Sequence, residues 1–199
     1  MGSKINISST AIISPKAEVH NTAIIGEYSI LKDNVLIKRN CQIGSYTIIY
    51  DEVRIDSNTQ MEDFCRIGEK TTIGKNCRII YGVKIYGDVS IGNNCIIAGF
   101  ICEDVQIGNN CRIFGQLVHN HKVKPKKFND LKQWDKGGEK APTIENNVFV
   151  GFGAKIIGGI TIGKGSYILP NTIVNRNIPP NSLVKRINCI EPITNFFKT

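Results

Sequence analysis

The sequence predicts an all-β solenoid in which short parallel strands, joined by tight corners, stack three to a triangular coil. Three observations predict it. From Ile5 onward the chain reads in sixes, and the third residue of each six is Ile7, Ile13, Val19, Ile25, Leu31, Ile37 and so on to Ile97, always aliphatic or Met61. Two residues before each of these stands a compact residue, after Ile5 always Ala, Ser, Thr, Cys or Val. Glycine, asparagine and aspartate gather in the second half of the six, where corners belong. A period of six fits neither an α-helix nor a two-sided strand; it fits stacked turns of a solenoid.

Each element follows from that frame. The first and third residues of a hexad lie two apart, so in extended chain they share one face and point inward together. The large residue fills the interior and the small one leaves it room. Three hexads close one coil, and about eight coils at roughly 4.8 Å each make a prism about 40 Å long. The frame slips at Ile101–Asp104 and resumes as "VQIGNN" and "CRIFGQ". It leaves off at a loop over 119–141, then restarts at Pro142 with Ile144, Val150, Ile156, Ile162, Ile168 and Val174 in the large inward positions. The expected organisation is one domain over 1–187 with the loop inserted, and a short tail over 188–199. Cys41, Cys65, Cys77, Cys95 and Cys111 all fall on the small inward position and serve as compact apolar residues. Seven cysteines without a C-x-x-C spacing disfavour a disulfide framework or a zinc site and suit a reducing compartment.

Composition narrows the classes. No run of about 18 apolar residues is present to span a membrane, and the start lacks a signal-like apolar stretch, so the expected address is the cytoplasm. The net charge of +8 is unevenly placed. Twelve cations balance twelve anions over 1–118, and the whole excess falls in the loop and after Lys164. That placement suits a phosphate-bearing ligand met by those two regions, and no nucleic acid is expected.

The hexads, and above all "PTIENNVFVGFGAKIIGGITIGKGSYILPNTIVNRNIPPNSLV", resemble the bacterial hexapeptide-repeat acyltransferases, in particular the branch acting on sugars, polysaccharides and xenobiotics. The resemblance implies a left-handed parallel β-helix, acetyl-CoA as donor, no metal, and a homotrimer with its active sites between neighbouring copies. In that branch a histidine is followed by a loop, a proline-led hexad, a glycine-rich hexad, G-x-T-I-G and I-P-P-N. Here these are His119 or His121, the lysine-rich loop, Pro142, "VGFGA" at 150–154, "GITIG" at 159–163 and "IPPN" at 178–181. Two departures stand out: Phe149 replaces a frequent tryptophan, and "LVKRINCI" replaces a Gly-Asn-Pro-like motif.

Acetyl transfer to a hydroxyl or amine needs a base, and imidazole exchanges a proton near neutral pH. His119 lies six residues beyond Ile113, where the frame places the last inward position before the loop; His121 is two further on. The glycines of "GFGA" leave backbone amides open to approach. By resemblance, the Phe152 amide, beside Gly153, meets the thioester or acceptor oxygen. Pro170 and Asn175 match positions lining the pantetheine and adenine ends. Lys164, Arg176, Lys185 and Arg186 are candidates for the CoA phosphates. Lys122, Lys124 and Trp134, in a loop long enough to need a functional reason, are candidates for the acceptor. The expected activity is an O-acetyltransferase acting on a sugar or surface-polysaccharide-type acceptor; the alternative is N-acetylation of a nucleotide-linked amino sugar. A γ-carbonic-anhydrase-like metalloenzyme needs three histidines around zinc, and only His119 and His121 lie near each other. A non-catalytic β-helix scaffold would need neither a histidine beside a basic loop nor CoA.

Overall fold

The computed structural model describes residues 7–120 and 140–185, with Cys189–Pro192 as backbone. The chain is a parallel β-solenoid of about nine turns. Short strands, most of two residues, stack into three sheets. The first runs from Ile12–Ile13 to Ile173–Val174, the second from Glu18–Val19 to Thr161–Ile162, and the third from Ile24–Ile25 to Ser182–Lys185. Pairing is in register, as in Ile12 with Ile30 and Ile67 with Ile85. The hexad frame accounts for eight turns. The ninth comes from Ile178, which bridges to Ile162, and from Leu183 and Val184, which pair with Tyr167 and Ile168. Cys189–Pro192 then folds back antiparallel on Ser182–Lys185 and covers that end of the third sheet.

The third-position residues form the core, with Ile37, Ile49, Ile55, Ile67 and Ile79 all fully buried. Each such side chain contributes on the order of 1.5–3 kcal/mol of burial. The first position does more than stay small. Ser29 Oγ donates to the Gly44 carbonyl at 2.7 Å, and Thr59 Oγ1 donates to that of Gly74 at 2.8 Å. Cys77, Cys95 and Cys111 send their thiols to the carbonyls of Gly92, Gly108 and Glu145, each at 3.1 Å. The cysteines are therefore hydrogen-bond donors as well as compact apolar residues, each reaching a carbonyl at the corner one coil ahead.

The corners follow a rule that matters for the site. Count hexad positions from the small inward residue, so Ala23 is first, Ile25 third, Gly26 fourth, Glu27 fifth and Tyr28 sixth. From Tyr28 to Asn110 the sixth residue has positive φ: Tyr28, Asn34, Asn40, Tyr46 and Glu52 lie between 55° and 60°. Asparagine and glycine recur there because they tolerate the left-handed region. The sixth N–H donates to the fifth carbonyl of the preceding coil, as Tyr46 does to Glu27 at 2.8 Å and Phe64 to Ser45 at 2.9 Å. The fifth N–H commonly meets a fifth-position side chain of the following coil, as Ser45 meets Asp63 Oδ1 and Lys75 meets Asn93 Oδ1.

The three edges of the prism differ in chemistry. Between the second and third sheets an amide ladder links Asn40, Asn58, Asn76, Asn94, Asn110 and Asn147. Between the third and first sheets Tyr28, Tyr46 and Phe64 stack at about 5 Å, with Tyr81 tilted at the end of the row. Between the first and second sheets lies the insertion point of the loop. We call these the asparagine, aromatic and loop edges.

The frame slip lies earlier than the sequence suggested, and it happens twice. Only three residues separate Ile97 from Ile101, and again Ile113 from Leu117, both pairs inward and fully buried. Each time the fifth and sixth residues of the aromatic-edge corner are missing, and Gly99 or Gly115 takes the first position. A Cβ on Gly99 would land on the Gly115 carbonyl oxygen, and one on Gly115 would meet that of Ala154. Backbone stacks directly on backbone, which no side chain permits.

Candidate active site

The second short corner corrects the placement of His119. Leu117, fully buried, is the last inward residue before the loop; His119 stands on the fifth position of the loop-edge corner. Counting six residues from Ile113 overshot because that corner is two residues short. His119 sits above Glu103, the fifth residue of the preceding coil. Its Nε2 is 3.0 Å from the Glu103 carbonyl oxygen, and its Nδ1 is 3.6 Å from Glu103 Oε2. The carbonyl can only accept, so Nε2 carries the proton in the neutral ring and Nδ1 keeps the lone pair. A proton taken up at Nδ1 faces a carboxylate. The imidazole is largely enclosed, with 15% of its side chain exposed, so its orientation is held. Glu103 escaped the sequence reading; its signal is a spacing of 16 residues from His119, one shortened coil.

Above His119 the loop edge continues. Gly158 donates to the Val118 carbonyl at 2.8 Å and has φ of +86°. A Cβ on Gly158 would press on Asn120, and one on Gly159 would collide with Lys140. Arg176 occupies the matching position one coil further, beside Asn175. His119, Lys140, Asn175 and Arg176 therefore share one edge.

Phe152, Gly153 and Pro170 share a different one, the aromatic edge. Phe152 is fifth and Gly153 sixth in their corner, and Phe152 is 75% exposed. The fifth-position rule explains what Pro170 does. It stands where a serine, aspartate or asparagine side chain would take the Phe152 N–H, and it has no acceptor to offer. Among the described residues no partner takes that N–H. The Phe152 carbonyl is paired normally, accepting from Asn171 N–H at 3.0 Å, and Asn171 Oδ1 occupies the place a Gly153 Cβ would need. The corner is anchored from beneath while its amide points out unused.

The remaining candidates scatter. Lys164 lies on the asparagine edge, its N–H donating to Glu145 Oε2 at 2.6 Å, and Lys185 ends a strand of the third sheet. His121, Lys122, Lys124, Trp134 and Arg186 lie outside the described residues. No group of three His, Cys, Asp or Glu side chains among the described residues is arranged to hold a metal. No described helix is long and apolar enough to cross a membrane.

One chain thus presents its imidazole on one edge and its open amide on another. Phe152 is less than one coil beyond His119, since Val118 pairs with Ile157 and Phe152 lies one hexad before Gly158. Two prisms side by side with parallel axes bring the two edges to nearly the same height.

Comparison with known proteins agrees with this architecture. Residues 7–122 match the family described as the GMPPB C-terminal domain, and residues 141–176 match the bacterial transferase hexapeptide family of six repeats. A serine acetyltransferase of Mycobacterium tuberculosis is 42% identical over 48 residues, covering 24% of this chain and 21% of that protein. The bifunctional protein GlmU of Oceanobacillus iheyensis is 39% identical over 41 residues, covering 21% of this chain and 9% of that protein. The matched stretch spans less than a quarter of either relative. Among solved structures, the UDP-N-acetylglucosamine acyltransferase of Francisella novicida superposes with a TM-score of 0.68 at 21% identity, over 97% of this chain and 74% of that one. That of Campylobacter jejuni gives 0.51 at 20% identity, over 97% and 79%. With more than half its length matched by the first family, the chain belongs to the family of the GMPPB C-terminal domain; its last coils match the bacterial transferase hexapeptide repeats, and its fold is a left-handed parallel β-helix.

Proposed function

We propose that the protein is an acetyl-CoA-dependent O-acetyltransferase acting on a sugar or surface-polysaccharide-type acceptor in the cytoplasm, working as a homotrimer. His119 Nδ1 removes the acceptor hydroxyl proton as the oxygen attacks the thioester carbonyl. Glu103 steadies the imidazolium, and the Phe152 N–H of a neighbouring copy holds the oxyanion. Collapse of the tetrahedral intermediate expels the CoA thiolate, which takes the proton back. Arg176, Asn175 and Lys140 on the loop edge, with the loop lysines, supply positive charge and donors for the CoA phosphates. Lys164 and Lys185, on other faces, would reach CoA only from a neighbouring copy. His121 is the other candidate base, and N-acetylation of an amino sugar would use the same groups.

The observation that supports the reading is the Phe152 N–H left open by Pro170 on a rigid corner, a donor of the kind worth 10²–10³ in rate when aimed at an oxyanion. Its separation from His119 on another edge is why copies are needed. The test is acetyl-CoA consumption across nucleotide sugars, amino sugars and oligosaccharides, with thermal shift as a binding check. Acetyl-CoA at 100 times its Kd should add about 2.7 kcal/mol of stability. No shift and no consumption, or a monomer by light scattering, would remove the reading.

A further inference from the structure

The two short corners leave a recess in the aromatic edge. On the corner before them, Tyr81 is the fifth residue; on the corner after them, Phe152 and Gly153 are fifth and sixth. In the two coils between, the fifth and sixth residues do not exist, so the edge is cut back over two coils, about 10 Å of height. The floor is formed at Gly99, which is partly exposed, and above the buried Gly115; neither has room for a Cβ.

The lips of the recess are polar in a way the corner rule dictates. A fifth carbonyl points along the axis to receive the next coil's sixth N–H, and that residue is missing after Tyr81. A sixth N–H points back toward the preceding coil's fifth carbonyl, and that residue is missing before Gly153. Gly82 still donates to Asp63 at 3.0 Å, so the ladder is intact up to Tyr81 and resumes only with Asn171 to Phe152. Among the described residues neither the Tyr81 carbonyl nor the Gly153 N–H has a partner. One acceptor and one donor therefore face each other across the cut. Each lip also carries an exposed ring, Tyr81 at 63% and Phe152 at 75%. Glu62 fixes the Tyr81 corner by accepting its N–H at 3.0 Å while pairing with Arg78.

We propose that this recess is the acceptor seat and that it holds a short saccharide, one or two sugar rings long. Sugar hydroxyls both donate and accept, matching a lone carbonyl at one lip and a lone N–H at the other. The apolar faces of the rings pack against Tyr81 and Phe152. A peptide strand is the poorer occupant, because strand addition needs a row of alternating donors and acceptors, and here only one of each stands three coils apart. The recess lies at the height of His119, whose coil contains the second short corner. A sugar seated there is presented between the Phe152 amide of one copy and the imidazole of the next. The proposal rests on the acyl-transfer reading for its role in catalysis, but not for the binding itself.

Saturation-transfer NMR with N-acetylglucosamine and its β1,4-linked dimer tests it without turnover. Two variants perturb the seat: Tyr81→Ala, and insertion of Asp-Asn between Ala98 and Gly99 to rebuild a full corner. Tyr28→Ala, at the far end of the same aromatic row, is the control. Signal from the dimer is expected in the wild type and the control, and to fall at least five-fold in both variants with unchanged acetyl-CoA thermal shift. Equal saccharide signal in the Tyr81 variant, no signal in the wild type, or capture of an extended peptide in competition would overturn the proposal. Saccharide binding without any acetyl-CoA shift would instead sink the acetyltransferase and leave the recess standing.

Discussion

Pro170→Asp should close the proposed oxyanion site without touching the fold. On the same edge, Asp63 occupies the fifth position and its Oδ1 takes the Ser45 N–H at 2.7 Å. An aspartate at 170 is expected to take the Phe152 N–H in the same way. A hydrogen bond to a charged acceptor contributes about 1.5–3 kcal/mol, and each 1.4 kcal/mol is tenfold. The amide would then be withheld from the thioester oxygen by a factor of roughly 10 to 150, and the added negative charge opposes an oxyanion further. Pro170→Ala offers no acceptor and should leave the rate within about threefold, since the N–H stays open. The assay is thiol release from acetyl-CoA in the presence of the best acceptor, read as kcat/KM, with melting temperature as the fold check. Equal activity of the Asp and Ala variants, both folded, would show that the Phe152 amide plays no part in the chemistry.

Further predictions follow from the same geometry. His119→Ala should lower turnover by about 10²-fold or more with acetyl-CoA binding retained; an unaffected rate moves the base to His121 or abolishes the role. Gly99→Ala should cost roughly 3 kcal/mol or more in urea unfolding, because its Cβ meets backbone. Gly82→Ala should cost only about 1–2 kcal/mol for its φ of +70°, as its Cβ would stand in open space. Burial pushes the thiols of Cys65 up to about 11 and Cys102 up to about 12. Both should therefore resist Ellman's reagent at pH 8 until the protein unfolds, and rapid native labelling of either would contradict the packing. The Tyr81 N–H and then Arg78 hold the Glu62 carboxyl below its usual range. Its stabilisation is present above the unfolded carboxylate range and is lost as pH falls through the folded value. The wild type should thus lose more urea resistance between pH 7 and pH 3 than Glu62→Gln, and parallel losses would contradict the bond.

The sequence alone determined the solenoid, because an inward side chain every six residues leaves a chain few other ways to bury its isoleucines. It also marked where corners fall, since glycine, asparagine and aspartate gather in the second half of the hexad, but not that Tyr28, Tyr46, Phe64 and Lys70 share the same left-handed conformation. What it did not determine was register across the two shortened corners. "IIAGFIC" and "RIFGQLV" lose two residues each, yet both still read as hexads, so a count of six puts His119 in the interior rather than on a corner above Glu103. Nor does any local pattern say that Pro170 leaves Phe152 open, since that depends on two residues 18 apart being stacked. Such facts belong to the stacking of coils: a hydrogen bond between levels is set by what the neighbouring level lacks, and only the tertiary structure decides which level that is.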